Sequence, residues 1–259
     1  MRYLCLTLLL TACATARPQP AAKAESFFLD PVGKEYFLLS DGSLETANPL
    51  GQNRFAFFDS SRGRPDVVDV TNPFAVLLYY ADYGEVIILD RTLSEIRRLD
   101  FYAVEGVEQP VTLARATDNG IWLFDSWDYH LKLLDQRGEV ARESNDLRLE
   151  LKVQEEPAAI YVYQNLVLLH YAEQRRLAVL TNYGRFQRWV DLPEGEDFGW
   201  LDGRLAGFDG TVRWTYDLRT NKTARPQVRG EVGERWLPVP SGFRRLDPTT
   251  GQTQQIEIK

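Results

Sequence analysis

The stretch 75–100, AVLLYYADYGEVIILDRTLSEIRRLD, limits the folds open to this chain more than any other. Residues 75–80 and 85–90 are almost continuously apolar, as strands covered on both faces must be. Residues 95–100 mix charge with Ile96 and Leu99, which suits a strand nearer the solvent. The connections ADYG and RTLS are short enough for hairpins. A small sheet with two apolar faces has to be covered by other layers, and the chain supplies copies of it.

Residues 111–116, 121–125 and 131–135 repeat the three strands, and the alternating run 147–153 predicts a fourth, outermost one. The pattern returns at 160–164, 166–171, 177–181 and 186–192, then at 198–202, 205–209, 212–217 and 223–228. A shorter copy follows at 235–239, 243–247 and 254–258. Asp135, Thr181, Asp217 and Asp247 each close a strand ahead of polar residues and Gly or Asn, the chemistry of a capped turn. Their spacing centres on the roughly 40 residues of a four-stranded propeller blade. Upstream, 35–39, 44–47, 55–59 and 67–70 supply one more blade, with SFFL at 26–29 left over. The reading is therefore an all-β chain: a single β-propeller of about six four-stranded blades, five or seven also fitting the count. Its N- and C-terminal strands are expected to complete one sheet and close the ring, leaving no open edge there. A two-sheet sandwich is the alternative fold, but it needs no such period. A TIM barrel would need helical stretches between strands.

The first residues are of another kind. Arg2 precedes an apolar run over 4–10 that is too short to span a bilayer but suits a signal peptide. Leu10-Thr11-Ala12-Cys13 resembles the lipobox of bacterial lipoproteins. That resemblance implies cleavage before Cys13, acylation of Cys13 and membrane attachment by its lipid chains. It divides the chain into a signal peptide over 1–12, a lipidated tether over 13–25 and a propeller over 26–259. The mature body then has no thiol left and no disulfide, so its core alone holds it together. The absence of Asp after Cys13 goes, in enteric bacteria, with passage to the outer membrane; the periplasmic face is the expected address. With its propeller body the chain resembles β-propeller lipoproteins of the bacterial envelope. It does not follow those with tryptophan-docking repeats, because its six Trp do not recur at one position.

Lys and Arg number 30 against 37 Asp and Glu, a formal charge of −7, which argues against nucleic-acid binding and against a basic membrane patch. No cofactor motif is present. Gly203, Gly207 and Gly210 lie in a strand pattern with no following helix, which fails the nucleotide-loop test. The two histidines, His130 and His170, have no flanking ligand spacing, so no metal site is expected and each reads as a surface or strand-end residue. Asp59, Asp90, Asp125, Asp202 and Asp209 end strands, as turn formers do. No nucleophile turn or other catalytic set is visible. The binding candidate is Trp127, Asp128, Tyr129 and His130, on a loop joining second and third strands and rimmed by acidic interblade loops at 102–110 and 154–157. The rigid repeat scaffold, the lipobox and the lack of a visible catalytic set imply a lipid-anchored scaffold that docks an envelope protein through this face. A propeller that binds or hydrolyses a small molecule or glycan in its channel, and a sensor subunit of a membrane complex, are the alternatives.

Overall fold

A computed structural model describes residues 22–47, 54–247 and 250–258. The expected signal peptide and Cys13 lie outside the described residues. The described chain folds into six antiparallel sheets. Blade 1 holds β1 (Ala24–Leu29), β2 (Glu35–Leu39), β3 (Leu44–Ala47) and β4 (Arg54–Phe57). Blade 2 holds β5 (Val67–Asp69), β6 (Val76–Tyr80), β7 (Glu85–Leu89) and β8 (Glu95–Asp100). Blade 3 holds β9 (Pro110–Arg115), β10 (Ile121–Asp125), β11 (His130–Leu134) and β12 (Val140–Glu143). A short helix, α1 (Leu147–Leu151), leads to blade 4: β13 (Ala159–Tyr163), β14 (Leu166–Tyr171), β15 (Arg176–Thr181) and β16 (Phe186–Asp191). Blade 5 is β17 (Glu196–Leu201), β18 (Arg204–Phe208), β19 (Arg213–Asp217) and β20 (Lys222–Ala224). Blade 6 has three strands, β21 (Trp236–Val239), β22 (Gly242–Leu246) and β23 (Thr253–Glu257). The fold is the expected propeller, with six blades.

Burial explains the sequence pattern. β6, β7 and β10 are buried at every position, because each lies mid-sheet with a neighbouring blade on either side. Outer strands alternate instead, as β12 does. Each pair of adjacent blades shares its own apolar cluster. Leu77, Val86 and Ile88 of blade 2 meet Leu113 and Leu123 of blade 3. Trp122, Phe124 and Leu133 of blade 3 meet Ile160, Leu169 and Leu180 of blade 4. The third-strand turns are capped as expected. Asp90 accepts from the amides of Thr92 and Ser94, and Asp135 from those of Arg137, Gly138 and Glu139.

Three details correct the sequence reading. Residues 147–151 are helical, not strand: Asp146 accepts from the amides of Arg148 and Leu149, an N-cap, while Leu147 and Leu151 turn into the core. The outer strand of blade 3 is instead β12, which pairs with β11.

 β12 has only four residues, VARE, too few for a period to show. The leftover SFFL lies in β1, which pairs with β2 as the innermost strand of blade 1. Residues 67–70 accordingly move from the end of blade 1 to the start of blade 2, where β5 pairs with β6. Among the described residues the first and last blades share no sheet. They close the ring through side chains: Phe27 packs with Leu237 and Leu246, and Arg244 and Thr253 both reach the Glu35 carboxylate. No described helix is long and apolar enough to cross a membrane.

Candidate binding face and central channel

The loop 126–129 connects β10 to β11, on the same side of the ring as the loops between blades. Asp125, at the end of β10, is wholly buried and fully used. It accepts from the amides of Glu108 and Gln109 at 2.9 Å, from that of Trp127 at 3.1 Å, and from Lys132 Nζ at 2.8 Å. Lys132 Nζ also donates to Gly106 O at 2.8 Å and to Asp128 Oδ2. Burial alone would raise the Asp125 pKa, but Lys132 and the two amides outweigh it and hold the carboxyl below its ordinary value. Burial likewise works against the Lys132 ammonium, and its bonds to Asp125 and Asp128 raise its pKa in net. One ion pair thus fixes both the interblade loop and the hairpin loop.

The four residues expected on this face have different roles. Trp127 is 70 % exposed and stands on the pedestal that Asp125 and Lys132 build. Asp128 accepts from the His130 amide at 3.1 Å and ties down Lys132. Tyr129, with φ +61°, turns inward: its ring packs edge-on to Phe124, its hydroxyl donates to Gln154 O at 2.9 Å, and Arg148 lies over it. His130 contacts Glu143. The sequence did not reveal that contact, since Glu143 comes from the neighbouring strand β12.

The same side of the ring carries other exposed apolar groups. Phe58, Tyr83, Tyr102, Leu149 and Val232 all stand on hairpin or interblade loops of this side, with Leu149 75 % and Tyr102 62 % exposed. Asp59, Arg62, Glu85 and Arg98 form a second ionic group here, with Arg98 bonded to both acids at 2.9 Å. The expected acidic rim is present in the loops around Glu105, Glu108, Glu155 and Glu156.

The first strands of all six blades line a central channel of about 1430 Å³. Its wall is aromatic where blades 4 and 5 meet, with Tyr161 stacked on Trp200 at 4.7 Å and 14°. Its carboxylates serve the backbone. Asp30 accepts from the amides of Val32 and Lys34, Asp66 from that of Ala81, and Asp69 from those of Thr71 and Arg115. Asp59 and Asp209 likewise cap turns, as the sequence implied, while Asp202 sits at positive φ in the β17–β18 hairpin.

His170 lies near the end of its strand, as the sequence implied, but not at the surface. It is 1 % exposed, inside β14, against Tyr161 and edge-on to Phe198 at 4.4 Å. Nε2 has no protein partner, and burial pushes the imidazole pKa down to about 4. The folded state therefore binds a proton less readily than the unfolded chain, whose histidine titrates near 6.5. The stability this confers is complete above pH 6.5 and is lost as the pH falls from there to about 4. His170→Phe is expected to flatten that part of the curve. Urea unfolding at pH 7 and pH 5 measures it, and an unchanged pH dependence would show that other groups carry the loss.

No family model and no curated protein matches this chain. Solved structures do. A streptogramin B lyase is 13% identical, with 94% of this chain covered, 85% of that chain and a TM-score of 0.56. A catalytically inactive virginiamycin B lyase from Staphylococcus aureus is 10% identical, with 92% and 85% covered and a TM-score of 0.57. The Pan2 WD40 domain of Neurospora crassa is 11% identical, with 92% and 80% covered and a TM-score of 0.58. The shared property is the β-propeller fold. At these identities nothing more passes from them to this chain, and lyases and a WD40 module share the ring without sharing chemistry.

Proposed function

We propose that this propeller is a lipid-anchored envelope protein that docks other proteins through the loop face around Trp127. The observation that carries this reading is the concentration of exposed Phe58, Tyr83, Tyr102, Trp127, Leu149 and Val232 on one side of the ring. Aromatic side chains held rigidly on a surface are the usual anchors of interfaces. The acidic rim complements a basic partner surface and speeds encounter with it. The anchor is Cys13, and the address is a bacterial membrane surface, with the outer membrane and its periplasmic side as the specific form.

A photo-crosslinker placed at Tyr102 in the native envelope tests the docking. A reproducible basic partner is expected, and Trp127→Ala should weaken the complex by about 2 kcal/mol or more, some thirtyfold in Kd. Recovery of no reproducible partner overturns the reading. For the anchor, Cys13→Ala should leave the membrane fraction; a variant that stays there is held by something else.

The aromatic channel wall favours a second reading, a neutral, partly apolar small molecule bound against Tyr161 and Trp200. Ligand-induced quenching of tryptophan fluorescence that Trp200→Leu removes would support it in place of docking.

A further inference from the structure

Beside Trp127 lies a set of donor atoms that the docking reading does not use. Asp128, His130 and Glu143 each present one ligand atom, and these atoms all lie within 4.8 Å of one another. The register explains the meeting. Asp128 sits in the turn before β11 and His130 opens the strand, and the bond from the His130 amide to Asp128 Oδ1 at 3.1 Å holds the two together. Lys132 pairs with Glu143 in the β11–β12 ladder, which makes Glu143 the diagonal cross-strand neighbour of His130. All three are at least partly open to solvent, so an ion has a path to them.

The charges are not balanced. Asp125, Asp128 and Glu143 bring three carboxylates, and Lys132 brings the one ammonium bonded among them. With the imidazole counted neutral, two negative charges are left. Arg148, nearby, is paired with Asp146 at 3.0 Å and lies over Tyr129. A carboxylate has about four lone-pair positions. Asp128 can therefore keep its bonds to the His130 amide and Lys132 and still donate to a metal.

We propose that Asp128, His130 and Glu143 form a three-ligand site for a divalent transition-metal ion of the Zn²⁺ type on the loop face. One imidazole nitrogen with two carboxylate oxygens suits such an ion, whereas Ca²⁺ and Mg²⁺ take oxygen ligands alone. Three protein ligands leave a fourth position for water. Asp125 and Lys132 hold the loop that carries Asp128 and leads into His130. The site stands apart from the docking reading, since it needs no protein partner.

The chain has only two histidines, so their ring C–H resonances report on the site directly. Titration of the untagged protein with ZnCl₂ is expected to saturate at one ion per chain and to shift the His130 resonances, leaving those of buried His170 in place. His130→Ala and Glu143→Gln should each weaken binding at least tenfold by calorimetry. Unchanged thermal midpoints would show that both variants remain folded. If the alanine variant does not fold, the nearly isosteric Glu143→Gln alone decides. His130 resonances that do not move up to millimolar Zn²⁺, or a Glu143→Gln variant that binds as the parent does, would overturn the proposal.

Discussion

Lys132→Met is expected to destabilise the protein by about 3–5 kcal/mol, because it leaves Asp125 buried without its cation. Lys132 is 1 % exposed and Asp125 is wholly inside, so water cannot replace the lost partner. The amides of Glu108, Gln109 and Trp127 would still hold the carboxylate, but in a chain of this size the loss corresponds to a drop of roughly 10 °C in thermal midpoint. The effect should be local at first. The loop 101–109 and the hairpin 126–129 both lose a tie, since Lys132 Nζ also holds Gly106 O and Asp128. Hydrogen exchange at the Glu108 and Gln109 amides, alongside calorimetric unfolding, measures this. A midpoint within about 2 °C of the parent would mean that the pair does not carry the weight assigned to it.

Gly199→Ala is expected to cost as much, for a different reason. β17 of blade 5 runs close against β21 of blade 6, and a Cβ at Gly199 would overlap the carbonyl oxygen of Trp236. The obstacle is backbone, so no rotamer change relieves it. Inserting bulk into a packed interior typically costs about 1–3 kcal/mol, and an overlap with main chain belongs at or above the top of that range. The interface it opens is small, with Ala206, Trp236 and Phe243 as its buried residues. Gly210→Ala serves as a control, since a Cβ there meets nothing, although its φ of +86° brings strain of its own. A Gly199→Ala variant that unfolds like the parent would mean that the two blades can separate without loss.

The repeat was legible because its middle strands have to be apolar throughout. Runs such as VLLYY and EVIIL leave little choice of environment, and the Asp that ends a third strand marks its turn. Blade boundaries were harder to read. β5 has three residues and β12 four, too short for alternation to register, so the pattern alone places the strands of blades 1 and 2 one step off. The run LRLELKV alternates well enough for a strand, and only the capping bond of Asp146 decides for a helix. The binding face was legible as a loop but not in its roles. The sequence puts Trp127 and Tyr129 side by side as equals, whereas positive φ at residue 129 sends one ring outward and the other in. The meeting of His130 with Glu143 depends on a ladder register with a bulge between Leu133 and Leu134, which no local pattern encodes.

The junction of blades 1 and 6 is the one place in the ring where neighbouring blades are not joined by a loop of described chain. Three buried side chains, Phe27, Leu237 and Leu246, hold it with the bonds of Arg244 and Thr253 to Glu35, against fifteen buried side chains between blades 3 and 4; the joint of blades 5 and 6 also has three, but there the chain itself runs across. A circle fastened this way behaves as a clasp: under load or heat it should part there first, while the other five joints stay shut. Whatever grips both sides of that clasp would stiffen the entire circle at little expense.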